Sequence, residues 1–252
     1  MTSLRILGCR LDPIDSAEAT RRILAFVREG GGAQIVTLGT EMVVYAQRDA
    51  HFRSVVNACA LSLCDTVGLL MVARMRGATL RERVTGVELV ERLCSAAALE
   101  GASVYFLGGA EGVAAQAGAV LQARYSGLRV AGTCSGYFAD DQTPAIVQAI
   151  ANSGARLLFV GLGSPRQEFW LAEHLRETRC GAAVGVGGSF DVIAGRVERA
   201  PHSLRRLGLE WLYRLGKEPW RWRRQLALPR FVWLVALEQL GIGRTRESSM
   251  RS

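Results

Sequence analysis

Asp65 closes a short apolar run, Leu61 to Cys64, and is the best-placed acid in this chain of 252 residues. A strand of that composition delivers the residue after it to one edge of a sheet. There a carboxylate can accept a proton from a nucleophile, although an Asp capping the following segment would occupy the same place. A second acid, Asp191 in GGSFDV, suits a loop organiser or a ribose or base contact. Glycine-rich turns follow other apolar runs: Gly108-Gly109, Gly161 to Ser164, and Gly185 to Asp191 around Gly187. Glycine permits positive φ and lets a backbone approach a phosphate or a ring closely. In GLGSPRQEFW, after Gly161 and Gly163, Ser164 is the expected N-cap and Pro165 the first-turn residue of a helix through Trp170 and His174. A helix start of this kind aims N–H groups at an anion. Gln167 and Glu168 occupy its first turn. Gln167 is placed to hydrogen-bond a ligand, and Glu168 to be an acid favoured by the helix dipole.

Metal chemistry has little to work with. His51, His174 and His202 are far apart, and no HExxH or CxxC spacing accompanies them. Asp140-Asp141 follows Tyr137-Phe138 in what reads as a surface turn. The expectation is therefore no metal and no cofactor, with arginines as the groups that neutralise an anion. A GxGxxG turn after an early strand and a P-loop are both missing. The six cysteines are scattered, and Cys59 and Cys64 lie in apolar stretches, as small core residues of a reducing compartment do.

The elements that must position these residues alternate. Apolar runs at Arg5–Leu7, Gln34–Leu38, Leu61–Asp65, Ser103–Leu107, Leu128–Ala131, Arg156–Gly161 and Ala182–Gly187 read as strands. Between them, segments such as Val84–Leu99 and Gly112–Arg124 carry helical spacing. Buried strands separated by helices imply an α/β fold, a mostly parallel sheet with helices on both faces. Ligands bind such sheets beyond the carboxyl ends of their strands, which is where the residues named above fall.

Charge divides the chain. Residues 1–195 hold 18 basic and 18 acidic side chains, whereas residues 196–252 hold 13 basic and 5 acidic, the whole of the net +8. Four of the five tryptophans, Trp211, Trp220, Trp222 and Trp233, lie in that second part. We therefore expect an α/β body over 1–195 and a basic, Trp-rich helical appendage over 196–252, broken at Gly216 and near Pro219 and Pro229. Such a tail fits an anionic membrane surface or a polyanion; a solvated helical hairpin and a subunit interface in a homo-oligomer stay open. Nucleic acid is an expected non-partner, because WRWRR comes with no recognised reading motif. The start, MTSLRILGCRLD, lacks the pattern of a secretory signal. The late apolar run Phe231–Leu237 has only seven residues, too few for a membrane span.

Six blocks carry a resemblance: TLGTE at 37–41, RVTG at 83–86, FLGGAEGV at 106–113, VGLGSPRQEFW at 160–170, VGGSFDVIAGRVERAP at 186–201 and EWLYRLGKEPWRWRR at 210–224. In this order they resemble the WecG/TagA/CpsF family of bacterial glycosyltransferases, which includes the N-acetylmannosaminyltransferase of wall teichoic acid synthesis. The resemblance implies a Rossmann-like body and a C-terminal segment that touches the inner face of the plasma membrane. It implies inverting, metal-independent transfer of a sugar from a UDP donor to a polyprenyl diphosphate-linked saccharide in envelope or exopolysaccharide synthesis. It places Thr37, Asp65, Arg83 and Gln167 around the donor and acceptor sugars, and Arg214, Arg221 and Arg224 near the diphosphate. Tyr137 would flank the uracil ring, or else be a core aromatic; Arg83 beside Arg81-Glu82 also suits a salt bridge. Two positions depart from the family pattern. Gly39 stands where Asn is usual and Thr66 where Gly is usual, which leaves open the donor sugar, and with it whether the chain catalyses or only binds a nucleotide-sugar.

Overall fold

The computed structural model describes residues 3–198, 200–201, 204, 210–217 and 226–240. Strands β3 (Ala33–Leu38), β4 (Leu61–Cys64), β5 (Ser103–Gly108), β6 (Arg129–Cys134), β7 (Leu157–Gly161) and β8 (Ala182–Gly185) form one sheet. Its order is β4-β3-β8-β7-β5-β6, and every neighbouring pair is parallel. The expected strand at Arg5–Leu7 does not join it. Leu7 and Gly8 both adopt positive φ, so the chain reverses after three residues. β1 (Leu4–Ile6) and β2 (Cys9–Leu11) thus make a separate antiparallel ribbon of the tight-hairpin kind.

Alternation along each strand divides the core. Ile35, Leu63, Val104, Phe106, Phe159 and Val184 face one side. There they meet α1 (Ser16–Glu29), α5 (Gly86–Glu100), α6 (Val113–Arg124) and α9 (Ser189–Ile193). Val36, Leu38, Leu107, Leu158 and Val160 face the other. That side is covered by α2 (Thr40–Ala46), α3 (Ala50–Ala58), α4 (Val67–Met75), α7 (Thr143–Ser153) and α8 (Arg166–His174). Right-handed crossovers account for the division. Connections running toward β6 place α5 and α6 on one face, and those returning through β7 and β8 place α7 and α8 on the other.

Helix starts follow local chemistry. Asp15 caps α1 through the Glu18 N–H, and Thr85 caps α5 through that of Glu88. The start of α8 differs from expectation. Pro165 is its N-cap and Ser164 stands one residue outside, with no side-chain hydrogen bond capping the helix.

In the C-terminal part, α10 (Glu210–Lys217) runs through Gly216, and α11 (Ala227–Gln239) contains Pro229 in its first turn. A helix start thus falls near Pro229, as expected, while Gly216 lies inside the described part of α10. A first-turn N–H has no intrahelical acceptor, so Pro229 loses nothing there. α11 packs on α2 and α4, burying Phe231 and Val235 in the same cluster as Val43, Leu69 and Val72. Arg76 and Glu238 pair across this contact. Among the described residues no helix is long and apolar enough to cross a membrane.

The packing of α11 yields a stability test. Phe231 is 1% exposed and Trp233 64%. Phe231→Ala should therefore cost about 3–5 kcal/mol in urea unfolding, whereas Trp233→Ala should stay within about 0.5 kcal/mol.

Candidate functional site

From β3 the chain steps out to β4, crosses to β5 and β6, and returns through β7 and β8 to the middle. The carboxyl ends of these strands carry most of the expected site residues on one edge. Four strand intervals of about 4.8 Å set Asp65, after β4, roughly 19 Å from Gly108 at the end of β5. A ligand crevice along this edge, where open parallel sheets bind, would therefore be elongated.

At its β5–β7–β8 end the floor is backbone. A Cβ on Gly108 would lie 2.5 Å from the carbonyl carbon of Gly161, and one on Gly161 would lie 2.7 Å from the Gly187 oxygen. No side chain fits between these segments. Gly109 donates its N–H to the Gly161 carbonyl at 3.1 Å, and Gly136 donates to Gly109 at 2.8 Å. These two N–H groups hold loops together in this structure instead of pointing at an anion. At the start of α8 the Gln167 N–H likewise donates to the Gly163 carbonyl at 2.9 Å.

At the β3–β4 end, Asp65 donates its N–H to Leu38, and Val84 donates to Cys64 at 2.7 Å. This second bond fixes Arg83 beside the strand that carries Asp65. Both charges reach the buried Cys64 thiol, whose pKa burial pushes up to about 12; Asp65 raises it further and Arg83 lowers it. The N-cap of α4 is Thr66, so Asp65 is not the cap of the following segment. Glu82, the other candidate partner near Arg83, bonds Ser16. Thr37 is buried and donates its hydroxyl to the Gly185 carbonyl at 2.9 Å. Gly39 and Thr66 are neighbours: a Cβ added on Gly39 would lie 3.5 Å from the Thr66 methyl. Thr66 Oγ1 is buried without a hydrogen-bond partner. The RVTG turn in turn packs on the turn after β8, where a Cβ on Gly86 would meet the Ser189 hydroxyl at 2.7 Å.

Between these ends lie Gln167 and Glu168, 3% and 1% exposed. Gln167 Nε2 donates to Glu168 Oε1 at 2.7 Å, and its Oε1 accepts the Gly187 N–H at 3.0 Å. Burial pushes the Glu168 pKa up, against hydrogen bonds from Gln167 and Ser164. Glu168 is thus a buried carboxyl on the first turn of α8. Tyr137 is 82% exposed, which removes the core-aromatic alternative. Its loop is held by Arg166, which donates to the Gly136 and Phe138 carbonyls at 2.8 and 3.1 Å and lies 4.5 Å over the Phe138 ring. Asp191 organises its turn, its carbonyl accepting the N–H groups of Arg196 and Val197. Arg221 and Arg224 lie outside the described residues, and of Arg214 only the α10 backbone is described.

Sequence reasoning missed Arg166 and Glu168. Arg166 follows a proline in an apparently ordinary helix start, and its acceptors are backbone carbonyls 28 to 30 positions away. Among the described residues no three His, Cys, Asp or Glu side chains converge. His51 stacks on Phe169 and His174 packs against Trp170.

The glycosyl transferase WecG/TagA/CpsF family matches residues 4–245. An N-acetylglucosaminyldiphosphoundecaprenol N-acetyl-beta-D-mannosaminyltransferase of Bacillus spizizenii is 35% identical over 210 residues, 83% of this chain and 81% of that enzyme. The enzyme of the same name from Bacillus subtilis is 31% identical over 208 residues, 82% and 80% of the two chains. With a parallel sheet whose carboxyl edge gathers an acid, an arginine, buried polar side chains and a glycine floor, this chain belongs to the glycosyl transferase WecG/TagA/CpsF family and is a glycosyltransferase.

Proposed function

We propose that the enzyme moves a sugar of the N-acetylmannosamine type, or a related hexose, from a UDP donor to a polyprenyl diphosphate-linked saccharide, with inversion and without a metal. The observation that carries this reading is the placement of Asp65, Thr37 and the Arg83 turn on one end of a crevice whose other end is a glycine floor. As the acceptor oxygen bonds to the anomeric carbon, its proton passes to the Asp65 carboxylate and the bond to the donor diphosphate breaks. Arg83, and from the C-terminal segment Arg214, Arg221 and Arg224, meet the charge that grows on the leaving diphosphate. Thr37 and Gln167 border the sugars. Gly108, Gly109, Gly161, Gly163, Ser164 and Gly187 line the nucleotide path, Tyr137 stacks on the uracil, and Asp191 sets the turn beside it. Gly39 and Thr66, in contact near Asp65, shape the donor-sugar pocket. They are also the observation that favours a second reading, a nucleotide-sugar-binding protein without turnover.

The basic C-terminal segment would hold the enzyme on the anionic cytoplasmic leaflet. Each Lys or Arg near such a surface is worth about 1 kcal/mol. The exposed rings of that segment include Trp233. The acceptor's lipid then stays in the bilayer while its saccharide enters the crevice.

A panel of UDP-sugars with a polyprenyl diphosphate–N-acetylglucosamine analogue, read by mass spectrometry, identifies the donor. UDP release that depends on the acceptor separates an enzyme from a binding protein. Asp65→Asn should keep donor affinity and lose roughly 10²- to 10⁴-fold in kcat; a parental rate at saturation overturns the base assignment. Turnover should survive EDTA, and loss restored by one divalent ion would sink the metal-free mechanism. A cut after Gly195 also strips Phe231 and Val235 from the core, so point variants are the cleaner probe of the C-terminal arginines. Arg214→Ala, Arg221→Ala and Arg224→Ala should each slow transfer far more than Arg244→Ala. Arg166→Ala frees the Tyr137 loop and should raise the donor KM about tenfold while sparing kcat, the scale of one lost charge-assisted hydrogen bond.

A further inference from the structure

The first turn of α8 holds two adjacent polar side chains that are both buried, an expensive arrangement unless the pair has a role. The Gln167 amide is clamped at both ends: its oxygen takes the Gly187 N–H, and its nitrogen donates to Glu168 Oε1. Gly187 N–H can only donate. Glu168 Oε1 accepts. Turned over, the amide would set its NH₂ against an N–H and its oxygen against an oxygen, so only one orientation is satisfied.

The surrounding chain makes room for this clamp. A Cβ on Gly185 would lie 2.8 Å from Gln167 Nε2 and 3.4 Å from Glu168 Oε1. Gln34 Nε2 donates to the Glu168 backbone carbonyl at 3.0 Å, tying the turn to β3. Glu168 Oε2 is buried with no partner at all. An ionised group in that state is costly, and a neutral one much less so, in line with the upward push of burial on this acid.

We propose that Glu168 is a positioning residue: a buried carboxyl that fixes the orientation of the Gln167 amide and, through it, the Gly187 turn at the floor of the crevice. Each end of that amide keeps one further hydrogen-bonding valence beyond the clamp, and Glu168 and the Gly187 N–H together hold which end is donor and which acceptor. The inference rests on the reading that Gln167 and Gly187 border the transferred sugar.

The test compares full-length Glu168→Met, Glu168→Gln and Gln167→Ala with the parent. Substrates are the UDP-sugar that turns over in the panel and the polyprenyl diphosphate-linked acceptor. Met fills the same space and removes both the acceptor and the orphan oxygen, so Glu168→Met should melt no lower than the parent. Its kcat should nonetheless fall on the order of 10²-fold, the scale of a displaced site group, with donor affinity nearly unchanged. Hydrogen exchange at the Gly187 amide should speed up. Glu168→Gln, a neutral side chain that keeps an acceptor oxygen, should return kcat to within about threefold of the parent. A merely structural role would move melting and rate together and would not single out Gly187. If Gln167→Ala is slow while Glu168→Met turns over at the parental rate, the positioning role is wrong. If Gln167→Ala itself is as fast as the parent, the reading of Gln167 as a site residue fails first.

Discussion

The carboxyl edge depends on a steric constraint: several backbone segments meet there with no space for a Cβ between them. Gly108 on Gly161, Gly161 on Gly187, Gly86 on Ser189 and Gly185 on Gln167 would each place a methyl group under 3 Å from a neighbour. Close-packed interiors tolerate no such overlap without moving backbone. Because these positions are bare, β5, β7 and β8 end at one level, and the turns after them share hydrogen bonds. An added methyl at Gly161 would push the Gly187 turn away, and with it the acceptor-side partner of Gln167. The shape of the crevice is thus set by missing side chains as much as by present ones.

The acidic end is built differently, by side chains and by strand register. Thr37 and Leu63 are paired neighbours, so Thr37 and Asp65 project on the same face of the sheet, one pleat apart. The Thr37 hydroxyl spans to Gly185 on β8, adding a side-chain link to the β3–β8 ladder. Beside it, a Cβ added at Gly39 would lie 3.5 Å from the Thr66 methyl.

Most of the sheet was legible in the sequence, because a buried parallel strand is a short apolar run and the residue after it falls at the edge. The ribbon at Leu4–Leu11 was not: its reversal depends on positive φ at Leu7, a residue that gives no turn signal. Pro229 marks a helix start because it sits in a first turn where no N–H is needed. The site divides in the same way. Asp65, Thr37 and the glycine turns could be placed by counting from strand ends. Arg166 could not, since its acceptors are the Gly136 and Phe138 carbonyls, far off in sequence. An acid on a first turn is usually dipole-favoured and exposed. Only the packing of α8 on the sheet turns Glu168 inward.

That packing logic extends to the C-terminal segment. The nearest atoms to a Cβ on Gly68 would be the Thr40 methyl at 2.9 Å, Leu228 at 3.5 Å and Phe231 at 3.7 Å. Gly68 is three residues after Asp65, and Thr40 directly follows Gly39. α11 therefore rests on the first turns of both α2 and α4, the two helices that leave the acidic end of the crevice. A rigid helix start transmits displacement to the residue before it, because its backbone N–H groups are tied to fixed carbonyls: Val43 to Gly39, and Leu70 to Thr66. Displacing α11 would therefore open its packing beside Gly68, within one helical turn of Asp65.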